Sequence, residues 1–207
     1  MQSAHELFIH GLQDILSAEE QLVEALQEQA QSVDRADLKK AFESHQAQTQ
    51  KQVERLNKCF DEIGEEPEET ECKGMAGLIE EFRTFKEEED PSPDILDIFA
   101  VGAATKVEDY EINSYNELIR LAEMMGHTQS IKLLNQNLRE ELQTKQKMEN
   151  FANKLSPKNM GMEEQEEASA QSMTTQEAKP AARGKKTAQR SKGSSKNTGK
   201  RNGRRAA

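Results

Sequence analysis

Four stretches of the chain repeat apolar residues at steps of three and four, and each repeat is interrupted by charged or polar side chains. The first runs Phe8, Leu12, Ile15, Glu19, Leu22, Leu26. The second runs Leu38, Phe42, His45, Thr49, Gln52, Leu56, Ile63. The third runs Val101, Ala104, Glu108, Glu111, Tyr115, Leu118, Ala122. The fourth runs Ile131, Leu134, Leu138, Glu141, Lys145, Met148, Ala152. Such spacing places each set on one face of a helix. Glu19, Glu108, Glu111 and Glu141 therefore point where core side chains belong, while Glu20, Asp109 and Glu140 fall to the side or outside. A buried carboxylate is costly unless it is paired, protonated or bound to a cation.

Punctuation residues divide the pattern into helices. Ser3 with Glu6 three residues on forms a capping box, and the helix it opens runs to about Val33. The second helix starts at Asp34 or Asp37 and ends at Gly64, a residue suited to the left-handed cap. An acidic, Pro-containing connection follows over 65–73. Met75, Leu78, Ile79, Phe82 and Phe85 then mark a short amphipathic helix over 74–88. Ser92, Pro93 and Asp94 are the cap, first residue and dipole-favoured acid of the next helix, which stops at Gly126. The last begins near Thr128 and ends at Leu155, before Ser156 and Pro157. Two helices, a long connection and two more helices make an all-α fold: a ferritin-like four-helix bundle with one long crossover carrying a short extra helix.

The polar interruptions lie at matching heights. Glu19 precedes the first turn by about 14 residues and Gln48 follows it by about 14, roughly 21 Å along each helix. Glu111 and Glu141 each lie 15 residues from Gly126. Packed together, the two hairpins bring these belts to one level, as a single site inside the bundle.

Composition changes this picture mainly at the C-terminus. The net charge of −10 conceals a division: residues 179–207 hold 11 Lys/Arg and no acid, leaving 17 basic and 38 acidic residues, net −21, in the remainder. The domain is read as 1–155, with 156–207 a disordered tail, acidic at first and then basic. Glu87, Glu88, Glu89 and Asp90 read as a solvated acidic run. Cys59 and Cys72 lack CxxC spacing, and the chain shows neither a secretory leader nor an apolar run long enough to span a membrane. Reduced thiols and a cytoplasmic location are the expectation. No nucleophile triad, phosphate loop or dinucleotide fingerprint supports a hydrolase or kinase.

Carboxylates joined by a histidine between facing helices suit divalent iron or manganese. The usual di-iron Glu-x-x-His motif is absent from this chain. His45 alone would ordinarily be a hydrogen-bonded core histidine; four core carboxylates at one level are harder to explain without a cation. Tyr110 and Tyr115 read as packing residues, although Tyr115 lies four residues from Glu111 on the same face, within reach of a hydrogen bond.

The segments SAEEQL (17–22), CKGMAGLIEE (72–81), KVEDYEINSY (106–115) and LREEL (138–142) resemble the YciF-like family of bacterial stress proteins over roughly residues 3–155. The resemblance implies a ferritin-like fold, a dinuclear metal centre and a homodimer, for which Met124, Met125 and Leu133 are candidate contact residues. Its metal ligands fall on Glu19, His45, Glu108, Glu111 and Glu141. Two positions depart from the family pattern. HQAQT (45–49) stands where the family reads like HLEET, so a carboxylate is missing at Gln48, and Lys145 stands where an aspartate is usual. Six carboxylates would carry −6; four with Lys145 carry −3, against +4 for two divalent ions. On that count one ion, or none, replaces two.

Two functions follow. One is a metal-binding stress-response protein, with iron favoured, whose carboxylate-rich site reacts with oxygen or peroxide. The other is a metal-poor bundle that binds nucleic acid without sequence preference through residues 179–207. In that case the contacts are to phosphates and steeply salt-dependent, with no aromatic for base stacking. The tail could instead fold back on the acidic body.

Overall fold

The computed structural model describes residues 1–154, and every regular element among them is a helix. They are α1 (Ala4–Ser32), α2 (Ala36–Ile63), α3 (Lys73–Glu88), α4 (Pro93–Met125) and α5 (Thr128–Ala152). The disordered tail expected over 156–207, its nucleic-acid contacts and the end of the domain at 155 lie outside the described residues.

α1 pairs with α2 and α4 with α5 along their lengths; α1 also packs on α4 and α2 on α5, so the four long helices form a closed square. Two carboxylates from neighbouring helices establish the directions. Asp97, in the first turn of α4, accepts the backbone N–H groups of Asp34 (2.9 Å) and Arg35 (3.1 Å) at the start of α2. Glu62, in the last turn of α2, accepts from the N–H of Gln129 (2.9 Å) and from Ser130 at the start of α5. α2 and α4 thus run parallel, and α1 and α5 run against them. This is the ferritin-like arrangement, in which the crossover must traverse the length of the bundle. α3 lies in that crossover, against α1 and α4.

The helix ends follow local chemistry in part. Ser3 Oγ accepts from the Glu6 N–H (3.1 Å), as the capping box requires. Gly64 (φ 71°) and Gly126 (φ 78°) close α2 and α4 in the left-handed region where a side chain would be strained. α2 is different: its expected start at Asp34 or Asp37 gives way to Arg35 as the flanking residue, which has no side-chain cap. Asp97, buried and distant in sequence, supplies the acceptor instead. α3 is capped by the Cys72 thiol, which also meets Asp14 Oδ2 (3.3 Å) and the Tyr110 hydroxyl (2.9 Å). Tyr110, expected only to pack, donates to Asp14 (2.7 Å), so one phenol ties α4 to α1 at the head of the crossover helix.

The core faces advance in strictly alternating steps of three and four, the register of near-parallel helix packing. In α1, α2 and α4 every residue of the sequence stripes is buried except the half-buried Ile63, and residues flanking the stripes, such as Leu16, Phe60 and Val107, are buried as well. In α5 the buried residues are Ser130, Leu134, Asn137, Glu141, Thr144 and Met148. The expected stripe chose the apolar Leu138 over the polar Asn137 and drifted by one position, which wrongly put Lys145 inside. Phe8, Leu12, Phe42, Leu56 and Leu118 close the core around the polar belt. Each such side chain contributes about 2–3 kcal/mol through burial. Of the three residues expected to face a second copy, Met124 is exposed, whereas Met125 and Leu133 pack partly against the core.

Candidate metal centre

One level of the bundle is polar on all four helices. α1 contributes Glu19, α2 contributes His45, Thr49 and Gln52, α4 contributes Glu108, Glu111 and Tyr115, and α5 contributes Asn137, Glu141 and Thr144. The four glutamates are 0% exposed and His45 is 4% exposed. His45 lies between two of them, with Nδ1 3.5 Å from Glu108 Oε1 and Nε2 3.7 Å from Glu141 Oε2. His45, Glu108, Glu111 and Glu141 each turn one donor atom into a common space, all four atoms within 4.8 Å of one another. Glu19, equally buried, is the fifth residue of the set, and its charge bears on Glu111.

These groups are acceptors with too few donors. Both oxygens of Glu108 and of Glu111, Glu19 Oε2, Glu141 Oε2 and both ring nitrogens of His45 have no hydrogen-bond partner. Buried polar atoms are otherwise almost always satisfied. The electrostatics record the same imbalance. Burial, then the charge of Glu141, raises Glu19 and Glu108 well above the ordinary carboxylate range; burial, then Glu19, does so for Glu111. Burial is also the main cause that pushes Glu141 up to about 8. The His45 imidazole is held down to about 4 by burial, with Lys147 adding to the effect, so it is neutral at physiological pH and has a lone pair to offer. The set could hold a divalent cation, whose charge would offset that of the carboxylates; oxygen donors with one imidazole suit such an ion.

Behind the donors runs a chain of hydrogen bonds that the sequence reading missed. Tyr115 donates to Glu19 Oε1, rather than to the Glu111 expected from their spacing. The Asn137 amide donates to the Tyr115 oxygen (2.9 Å), and Arg55 donates to the Asn137 carbonyl oxygen. Arg55 is itself gripped by both oxygens of Glu140 (3.0 and 2.8 Å). Gln52 donates to Glu141 Oε1. Asn137 was detectable only by trusting the three-four register over hydropathy. Arg55 carried no signal, since a charged residue flanking a stripe ordinarily reaches solvent.

The two positions expected to weaken the site stand outside it. Lys145 pairs with Asp109 on the outer side of α5 and α4. Gln48 is half-buried at the α2–α5 seam, its amide 3.5 Å from the Thr144 hydroxyl. The estimate of −3 for the core is therefore corrected: four carboxylates remain, at −4 when ionised.

The family described as domain of unknown function 892 (DUF892) matches residues 3–161. Protein YciF of Escherichia coli strain K12 is 37% identical over 153 residues, spanning 73% of this chain and 92% of that protein. The crystal structure of the E. coli stress protein YciF superposes with a TM-score of 0.70 at 36% identity, over 73% of this chain and 96% of its own. A Rhodopseudomonas palustris protein titled YcfI gives 0.70 at 36% identity, over 72% and 94%. A Xanthomonas campestris protein shares the fold at 17% identity, with a TM-score of 0.59 over 73% and 92%.

Proposed function

The chain belongs to the DUF892 family as a homologue of the YciF stress protein, and from its buried donor set we propose that it is a metal-binding stress-response protein. The ions are divalent iron or manganese, held by Glu19, His45, Glu108, Glu111 and Glu141. The observation that carries this reading is the convergence of unpartnered buried donors from α2, α4 and α5 on one space, with the buried Glu19 of α1 as a further unpartnered carboxylate. Leaving such groups unpaired costs several kcal/mol by general estimates, which a bound cation offsets. With Lys145 outside, four carboxylates balance two divalent ions, so the donor set accommodates one or two.

When bound, iron supplies redox chemistry toward oxygen or peroxide. The chain's own residues set the conditions for it. Neutral His45 offers nitrogen, Tyr115 and Gln52 orient Glu19 and Glu141, and the surrounding Leu and Phe side chains exclude bulk water.

Elemental analysis of protein purified without chelator, beside the Glu108→Ala/Glu141→Ala variant, tests the reading. One or more iron or manganese ions per chain, lost in the variant, supports it; metal-free protein with an equally or more stable variant refutes it.

A second reading rests on the segregation of charge. The 11 Lys/Arg of residues 179–207 are suited to phosphate contacts, and non-specific nucleic-acid binding follows from them. Gel retardation that survives truncation after Ala178 would eliminate it. Pairing of two copies near exposed Met124 is a further expectation, tested by sedimentation of Met124→Glu.

A further inference from the structure

We propose that Cys72 and Tyr110 form a peroxide-driven modification site, at which the Cys72 sulfur becomes bonded to a ring carbon of Tyr110 as a thioether. The pair stands at the head of α3, and neither residue belongs to the carboxylate set of the core.

Thiol and phenol are held in contact. Cys72 is fully buried, its sulfur 2.9 Å from the Tyr110 hydroxyl and 3.3 Å from Asp14 Oδ2. Tyr110 donates to that same Asp14 oxygen at 2.7 Å, so one carboxylate oxygen gathers both groups. The cysteine is fixed from either side. Its N–H donates to Ser17 Oγ (3.0 Å), its carbonyl accepts from Gln21 (3.3 Å), and its sulfur accepts from the Met75 N–H (3.5 Å). The ring is placed as closely. A Cβ at Gly74 would fall 2.7 Å from Tyr110 Cε2, 3.0 Å from Cζ and 3.1 Å from Oη, so the glycine lets this edge of the ring lie on the first turn of α3. Cε2, ortho to the hydroxyl, is the carbon presented to the turn that Cys72 opens. Cys59, also buried, has the Ser130 hydroxyl as its hydrogen-bond partner instead of a phenol. Asp14 also lines a groove of about 420 Å³ between α1 and α4, with His10, Gly11 and Ser114 along its wall. A small uncharged oxidant in that groove lies against the carboxylate that holds the pair.

The reaction balances with hydrogen peroxide as its one co-reactant. Peroxide oxidises the thiol to a sulfenic acid and is reduced to one water. The sulfur is then electrophilic. Asp14 draws off the hydroxyl proton of Tyr110, and the electron-rich ring attacks the sulfur through Cε2. The C–S bond forms as the S–O bond breaks, and the departing hydroxide takes the proton held by Asp14 and leaves as a second water. The hydrogen displaced from Cε2 restores the phenol. Attack through the phenol oxygen would give an ester that water reopens, whereas the thioether persists. Contact between the groups makes the second step intramolecular. Burial, the largest cause, raises the Cys72 thiol above its ordinary value, so the first step is slow beside that of an exposed thiolate.

The test treats full-length protein with hydrogen peroxide in the presence of chelator, reduces and alkylates it, and maps tryptic peptides by mass spectrometry. The peptides carrying Cys72 and Tyr110 should appear joined, about 2 Da lighter than their sum and resistant to dithiothreitol, with fragmentation placing the link at those two residues. Tyr110→Phe and Cys72→Ser should each abolish the joined species. Asp14→Asn should slow its formation by about tenfold or more, and Cys59→Ser should form it at the parent's rate. A loss of about 2 Da that dithiothreitol reverses would identify a disulfide between Cys59 and Cys72 and overturn the proposal. Cys72 recovered only as thiol, or as sulfinic acid without a link to Tyr110, would overturn it equally.

Discussion

Stripped of metal, the core should become less stable as pH rises, and Glu141 gives the effect a size. Its carboxyl is fully buried and pushed from 4.5 up to about 8, chiefly by burial. Between those values the folded chain retains a proton that the unfolded chain has released. Unfolding therefore releases a proton, and stability falls with rising pH until the folded group ionises near 8. At about 1.4 kcal/mol per unit of separation, the full difference amounts to about 5 kcal/mol, and the part falling between pH 5 and pH 7 is about 2–3 kcal/mol. His45 acts in the opposite sense: held to about 4 when folded and near 6.5 when unfolded, it adds stability as pH rises across that interval. Comparison of Glu141→Gln with the parent protein cancels the histidine, which both contain. Urea denaturation in chelator, followed by far-UV circular dichroism from pH 5 to pH 8, should show the variant gaining about 2–3 kcal/mol over the parent between pH 5 and pH 7. With saturating manganese the gain should vanish, because the cation neutralises the carboxylate. A variant-minus-parent difference that stays flat with pH in chelator would show Glu141 to be ionised in the folded metal-free protein and would refute the argument.

Three other outcomes follow from named contacts. Asp97→Ala strips the α2 N-terminus of its borrowed acceptor and should cost about 1–2 kcal/mol in urea unfolding, although position 97 lies more than 60 residues from that helix start. Tyr115→Phe leaves Glu19 Oε1 without its donor and the Asn137 amide with only the longer bond to the Gln52 carbonyl, and should cost about 1–3 kcal/mol in metal-free protein by the same assay. Lys145→Ala should leave both the denaturation midpoint and the metal content unchanged. A loss of bound metal in that variant would contradict the outward placement of Lys145 beside Asp109.

That Glu19, His45, Glu108, Glu111 and Glu141 face the core was legible in the sequence, because a helix has a fixed period and a glutamate in an apolar stripe has nowhere else to point. Glu19, His45, Glu108, Glu111 and Glu141 all lie at the polar level of the bundle. The helix ends at Ser3, Gly64 and Gly126 were equally local decisions, each made by one residue's own side chain or backbone freedom.

What escaped the sequence depends on contacts between helices. The one-step slip along α5 arose because hydropathy favoured Leu138, while the packed register favours Asn137; the choice is made by the neighbours Gln52 and Tyr115, which can satisfy an amide there. Lys145 left its expected place, and Arg55, which carried no signal in the sequence, entered the core for the same reason. One finds Asp109 outside the bundle, and the other finds Asn137 and Glu140 within reach at the α2–α5 seam. The α2 start was misplaced because Asp97 satisfies its N–H groups from another helix. Periodicity and capping are properties of a single helix, so the sequence alone determined the five elements, the inner faces of α1, α2 and α4, and the burial of the four glutamates and His45. Which polar partner each inner residue meets is a property of four helices at once, and only the tertiary structure decided it.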